Sequence, residues 1–373
     1  MIIGIPKEIK NKEDRVALTP DGARLLSKNG HKVIIENNAG IGSGFPNEEY
    51  LNAGAVIYDS AEKIYTESEI IVKIKEPQPM EYKFLKKNHI IFTYLHLVVE
   101  PVLTKELLDK KVTSIAYETI QKSNGELPLL IPTSEVAGKM SVQIAANLLE
   151  NRNGGSGVLL GGVAGVSAGK ILIIGAGHVG INAAKIATGM GADVSIVDTD
   201  IRKLRYADNL FGSKIKTFIS NEYIIKDLIK NSDVVIGAVL IPGYKAPRII
   251  TEEMVKSMRK GSVIVDLSID QGGIVETMDR ITTIENPFYV RHGVIHYSVP
   301  NIPGSVPRTS TIALTNESVQ YLLNIANNGL VNSIKRDKSL AYGVNTYQGK
   351  LTNKGVSEAL HVNYTELSSL IGF

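Results

Sequence analysis

One stretch near the middle of the chain, KILIIGAGHVGINAAKIATGMGADVSIVDTD at residues 170–200, constrains the fold more than any other. Residues 171–174 read as a buried strand. Gly175, Gly177 and Gly180 follow in GxGxxG spacing, and residues 181–190 continue as a helix. A second apolar run, 194–197, then ends on Asp198. A bare GxGxxG is weak, because glycine turns are common in α/β proteins. Here the strand precedes it, the helix follows it, and an acid stands about 20 residues further on, the full context of a dinucleotide-binding turn. Gly175 permits the tight turn, Gly177 lets the backbone approach a pyrophosphate, and Gly180 lets helix pack on strand. The helix N-terminus supplies amides and a favourable dipole for the phosphates. The Asp198 carboxylate can accept hydrogen bonds from ribose hydroxyls and would repel a 2′-phosphate, which selects NAD over NADP. Arg202 and Lys203 lie close enough to serve a phosphate, although a solvated helix start explains them equally well.

The rest of the chain alternates in the same style. Strand patterns occupy residues 2–6, 32–36, 55–58, 70–75, 89–95 and 112–117, with helical stretches at 20–29, 47–52 and 101–110 between several of them. After the glycine turn, buried strands are expected at 234–239, 263–267 and 294–299. Strand–helix–strand repetition implies mostly parallel sheets covered on both faces. Two long helices are expected, 133–150 with Ser134 as a cap, and 309–327 capped by Thr309 or Ser310 and closed by Gly329. At 373 residues the chain exceeds one ordinary core. The reading is an α/β protein of two doubly wound domains. A Rossmann domain, residues 129–308, is inserted into a discontinuous domain made of 1–128 and 309–373.

Composition removes several function classes. Hydrophobic residues make up 43% and charged residues 21%, with 41 basic against 38 acidic side chains. No run of like charge suggests a nucleic-acid surface. The absence of cysteine excludes disulfides and thiolate chemistry. Residues 157–180 are apolar, but Lys170 and many glycines interrupt them, so no membrane span is expected. The N-terminal MIIGIPKEIK lacks the basic-then-apolar pattern of a signal peptide, and a cytoplasmic protein is the expectation.

Ligands of open α/β sheets bind beyond the carboxyl ends of the strands. That rule selects Lys75, His96, Glu118, Asp270 and Asn301, with Arg15 in the loop after the first strand. Each alone has an ordinary explanation: Arg15 could pair with Glu8 or Glu13, His96 could be a satisfied histidine, and Glu118 reads as structural. As a set they fit one chemistry. An arginine fork recognises a carboxylate through parallel hydrogen bonds. A lysine polarises a carbonyl, and a histidine shuttles the proton that accompanies hydride transfer. The substrate class is a small 2-amino, 2-oxo or 2-hydroxy acid.

At these residues the sequence resembles the alanine dehydrogenase family, which is similar to the cofactor-binding part of the proton-translocating nicotinamide nucleotide transhydrogenases. The stretches that carry the resemblance are GIPKEIKNKEDRVALTP, IVKIKEP, FTYLHL, SIAYETI, LPLLIPTSEVAGKM, IGAGHVG, GAVLIPG, DLSIDQGG and VPNIPGSVPRTST. It implies that Arg15 binds the substrate carboxylate, Lys75 the carbonyl oxygen, and that Asn301 faces substrate and cofactor. His96 becomes the acid/base group, and Asp270 assists proton transfer at the nitrogen-bearing centre. Ser134, Asp198, Lys203, Ser220, Val239, Leu240, Leu267 and Ser298 join Gly175, Gly177, His178, Val179 and Gly180 as NAD contacts. The implied reaction is reversible oxidative deamination of L-alanine to pyruvate and ammonium, in a homo-oligomer, specifically a hexamer. A transhydrogenase-type NAD(H)-binding subunit, a non-catalytic NAD sensor and a dehydrogenase of another amino acid are the alternatives. Two departures stand out. Thr133 occupies the place of a methionine expected beside the nicotinamide. Asn324 and Asn328 replace a glutamate and histidine that serve some family members as magnesium ligands, so no metal is expected there.

Overall fold

The computed structural model describes residues 1–239 and 246–372. In chain order its strands are β1 (Ile2–Ile5), β2 (Lys32–Glu36), β3 (Val56–Tyr58), β4 (Ile70–Val72), β5 (Ile90–Thr93), β6 (Thr113–Ala116), β7 (Lys170–Ile174), β8 (Asp193–Asp198), β9 (Ile215–Ile219), β10 (Val234–Gly237), β11 (Val263–Asp266), β12 (Phe288–Arg291), β13 (Val294–Tyr297), β14 (Val344–Tyr347) and β15 (Lys350–Leu351). They form two sheets in two compact units, one made of Met1–Thr133 with Val306–Phe373 and the other of Ser134–Ser305.

The first unit's sheet has the order β15-β14-β6-β5-β4-β1-β2-β3. Strands β1 to β6 are parallel, and β14 is antiparallel to both β6 and β15. The strand order reverses between β1 and β4. Alternate side chains enter opposite cores: Ile3, Ile5, Val33, Ile35, Ile70 and Val72 on one face, Ile71 and Ile91 on the other. Burial on both faces explains why these strands read as continuous apolar runs.

The second unit repeats the plan with the order β12-β13-β11-β10-β7-β8-β9, parallel except for β12. Ile171, Ile173, Val234, Ile236, Val263 and Val265 pack on one side, while Leu172, Ile174, Val235 and Ile264 pack on the other. Here the order reverses between β7 and β10. The doubly wound reading of both units is borne out.

Two long helices differ from expectation at their starts. Helix α1 spans Ile131–Leu148, so Ser134 lies inside its first turn and caps nothing. Pro132, in the first helical positions, makes the start, since proline lacks the amide that would otherwise be orphaned there. Helix α2 (His178–Gly189) follows the glycine turn. Helix α3 (Pro307–Asn328) begins at Pro307 with no side-chain cap, which overturns Thr309 and Ser310 as caps, and it closes at Gly329 as expected. Strands β9, β12, β14 and β15 carry no clear sequence signal: each mixes polar or exposed positions into a short run. Among the described residues no helix is long and apolar enough to cross a membrane.

Candidate active site

Three basic side chains of the first unit stand at or just beyond the carboxyl ends of neighbouring strands, around the point where the strand order reverses. Arg15 follows β1, Lys75 follows β4 and His96 follows β5. Arg15 is buried, and its Nε and one terminal nitrogen each donate to a Glu13 carboxylate oxygen at 2.6 Å. Burial alone would raise the Glu13 carboxyl. The guanidinium's hydrogen bonds and charge outweigh it and hold Glu13 below the ordinary value. Glu13 therefore fixes the plane of the Arg15 fork.

Lys75 is half-buried, and its ammonium has no hydrogen-bond or ion-pair partner among the described residues. Burial first, and the nearby Arg15 charge second, push it below the ordinary lysine value. A cation in that condition is ready to stabilise an oxygen that gains negative charge. Its peptide is anchored by Glu8, whose carboxylate accepts from the amides of Ile74 at 2.6 Å and Lys75 at 3.3 Å. The other Glu8 oxygen meets the fully buried Lys73 at 3.0 Å, and Lys73 also reaches Glu81 at 3.1 Å.

His96 is exposed and adopts left-handed backbone, φ 50° and ψ 34°. Its ring lies parallel to that of Tyr94, with centroids 6.2 Å apart and 11° between planes. Tyr94 donates its hydroxyl to the Leu129 carbonyl at 2.5 Å, and burial pushes its pKa up to about 12, so it remains a phenol. The Thr133 hydroxyl, 3.5 Å from the Tyr94 oxygen, donates to the Leu130 carbonyl at 3.0 Å. Of the two acids expected as possible partners of Arg15, Glu13 is the one that binds it, while Lys73 and Tyr94 have no distinguishing sequence signal. Glu8 and Glu13 sit in a charge-rich stretch that resembles a solvated loop, Lys73 interrupts an apolar strand run, and only the tertiary fold shows all three buried.

The second unit holds the nucleotide elements. Gly175 has φ 109°, and a Cβ there would meet the Ala238 carbonyl oxygen at 2.4 Å. A Cβ at Gly180 would stand 1.8 Å from the Gly175 carbonyl oxygen, so only glycine lets α2 sit this close to β7. Beside Gly177 there is open space, and α2 begins with no side-chain cap, leaving its first-turn amides available. His178 is exposed at that first turn, and Val179 is half-buried. Asp198, at the end of β8, accepts from the Ala176 amide and the Asp200 amide, both at 2.8 Å. These bonds fix the carboxylate beside the glycine turn and leave lone pairs for two ribose hydroxyls. Lys203 lies 3.7 Å from Asp198, whereas Arg202 is bound to Asp200 at 2.8 and 3.0 Å. The residues present thus fit NAD.

The remaining expected contacts lie at the other strand ends. The Ser220 amide donates to the Asp198 carbonyl at 2.9 Å, and the Leu267 amide to the Gly237 carbonyl at 2.9 Å. Val239 exchanges hydrogen bonds with the Ser268 hydroxyl at 3.2 and 2.7 Å. Ser298 is fully buried: its hydroxyl donates to the Arg280 carbonyl at 2.9 Å, its amide donates to the Thr282 hydroxyl at 3.2 Å and its carbonyl accepts from the Thr282 amide at 3.1 Å. Ser134 is half-buried on α1, and Leu240 lies outside the described residues. Asp270 is exposed on the turn Ile269–Gln271. That turn is clamped by buried Asp266, which accepts from the amides of Ser268 at 2.9 Å and Ile274 at 2.7 Å. Asn301 has left-handed backbone, φ 56°. Asn328 donates to the side-chain oxygen of Asn324 at 2.9 Å, and no cluster of metal-ligating side chains occurs among the described residues.

Comparisons with known proteins cover nearly the whole chain. Residues 4–137 match the family model "Alanine dehydrogenase/PNT, N-terminal domain", and residues 141–354 match "Alanine dehydrogenase/PNT, C-terminal domain". An alanine dehydrogenase of Methanococcus maripaludis is 54% identical, over 98% of this chain and 98% of its own. A solved L-alanine dehydrogenase superposes with a TM-score of 0.94 at 46% identity, covering 97% of this chain and 99% of that one. A transhydrogenase from Sinorhizobium meliloti superposes at 0.79 with 25% identity, covering 95% and 99%. Matched along nearly its whole length, with the glycine turn and the basic strand-end residues both in place, this chain belongs to the alanine dehydrogenase/PNT family.

Proposed function

We propose that this chain is an NAD-dependent L-alanine dehydrogenase, catalysing the reversible oxidative deamination of L-alanine to pyruvate and ammonium. The observation that carries the reading is the trio near the reversal of the first sheet: a buried arginine held flat by Glu13, a lysine without a partner among the described residues and with lowered pKa, and a histidine in left-handed backbone. Full-length similarity to proteins named alanine dehydrogenase supports the same substrate.

When bound, NAD accepts the hydride that leaves the substrate Cα. Gly175, Gly177, His178, Val179 and Gly180 would receive its pyrophosphate and Asp198 its ribose. Arg15 holds the substrate carboxylate. Hydride loss leaves an iminium, and His96 takes a proton from the water that attacks it. Lys75 stabilises the oxygen so formed, and Asp270 assists the proton transfer that lets ammonia leave. We assign Asn301 to substrate and cofactor, and Ser134, Lys203, Ser220, Val239, Leu240, Leu267 and Ser298 to NAD. We also propose a cytoplasmic hexamer; a monomer mass by light scattering of the purified protein would refute the assembly.

The test of the activity is direct. Purified protein with NAD and L-alanine should produce NADH absorbance, whereas glutamate, leucine and lysine should not, and NADP should replace NAD poorly. No signal with L-alanine, or equal signal with the bulkier amino acids, would sink the assignment.

A further inference from the structure

We infer that Glu118 is the positioning residue that holds His96 in its working orientation. This rests on the reading of His96 as the acid/base group. A catalytic histidine is ordinarily aimed by a third group that binds its second ring nitrogen. The His96 imidazole has no hydrogen-bond partner among the described residues. Its direction is set by its backbone and by the face of Tyr94. That backbone lies in the left-handed region, which is uncommon for a residue with a Cβ and costs free energy that its surroundings must offset.

Glu118 does the holding. Its Oε1 accepts from the His96 amide at 2.7 Å and from the Leu95 amide at 3.1 Å, and its Oε2 lies 3.3 Å from the Leu95 nitrogen. Bonds from amides to an ionised carboxylate are among the stronger protein hydrogen bonds. The carboxylate comes from the turn Tyr117–Thr119 that follows β6, the strand next to β5, with Thr93 paired to Ala116. It therefore reaches from one strand end to the next. The residue before it, Tyr117, is fully buried and packs edge-on against Phe92 at 4.5 Å and Tyr94 at 5.1 Å. One aromatic wedge thus fixes both the base of Glu118 and the ring on which His96 rests.

The experiment is steady-state pyruvate amination on the full-length enzyme. Glu118→Ala should lower kcat about 10- to 100-fold, the loss that a displacement near 1 Å produces, with pyruvate KM and NADH affinity within about twofold of the parent. Glu118→Gln keeps an acceptor oxygen in the same place and should recover most of the rate. In a His96→Ala background, Glu118→Ala should bring no further loss, because the two act as a unit. If the alanine variant does not fold, Glu118→Asp, one methylene too short for the amides, should show the same split between kcat and KM. An unchanged kcat, an equal loss in Glu118→Gln, or an additive double variant overturns the inference while leaving the activity intact. Normal turnover in His96→Ala would overturn it together with the proposed role of the histidine.

Discussion

Arg15 and Lys75 carry the same formal charge but are compensated differently. Glu13 lies along two donors of the Arg15 fork, so the guanidinium is locked in plane before any substrate arrives. Arg15→Lys keeps the charge and removes that plane. Pyruvate KM in the variant should rise by about tenfold or more, with NADH affinity unchanged by fluorescence titration. Lys75 has no such partner, and burial followed by the Arg15 charge depresses it. The ammonium is the form that polarises the carbonyl, and it disappears as pH rises through a value below the ordinary 10.5. The alkaline fall in pyruvate amination should therefore begin below that value and shift in a Glu13→Gln variant. A profile flat to pH above 10.5 would contradict the depressed ammonium. The strand-end rule makes Lys75 and His96 legible in sequence, because each ends an apolar run, whereas Arg15 is marked only by its place in the loop after the first strand. Glu13 is legible only as one of two candidate partners of Arg15, and the structure selects it over Glu8; that both acids are buried is not legible, since an acid in GIPKEIKNKEDR looks solvated until the chain folds over it.

At the scale of elements, one device recurs: an acidic side chain at a strand end accepts the amides of a loop that carries a candidate site residue. Glu8 does so for Ile74 and Lys75, Asp266 for Ser268 and Ile274, and Asp198 for Ala176 in the glycine turn. The Glu8 anchor depends on Lys73, whose ammonium is fully buried between Glu8 and Glu81. Burial opposes that charge, but the two carboxylates outweigh it and keep the lysine protonated. Lys73→Met would leave buried carboxylate charge without its counter-ion. We expect a loss of roughly 3–5 kcal/mol in denaturant unfolding. A loss under about 1 kcal/mol would mean that the cluster relaxes at little cost. The same scale explains where strand reading fails. Central strands such as β7 and β10 are apolar on both faces and need only a run of Ile and Val to be seen. The edge strands β9 and β12 have polar outer positions, and β14 runs against its neighbours, so periodicity alone does not find them.

The whole molecule contains two doubly wound sheets whose strand order reverses at β1 with β4 and at β7 with β10, and the glycine turn follows β7 at the second reversal. The class of fold was readable because the alternation of strand and helix is regular and the glycine turn marks one reversal. The exact starts of α1 and α3 were not, because Pro132 and Pro307 set them in place of the hydroxyl residues that follow. The insertion of residues 134–305 between the two segments of the first unit has a kinetic consequence. Ser114 on β6 bonds Thr346 on β14 at 2.8 Å across 232 positions of chain. Such a closure is entropically dear and comes late, whereas the inserted sheet closes through near neighbours. During refolding, amides of β7, β10 and β11 should gain exchange protection before those of β6 and β14, as pulse-labelled hydrogen exchange can time. On a ribosome the same order means that the nucleotide module can close while the first unit still awaits the last strands to be translated.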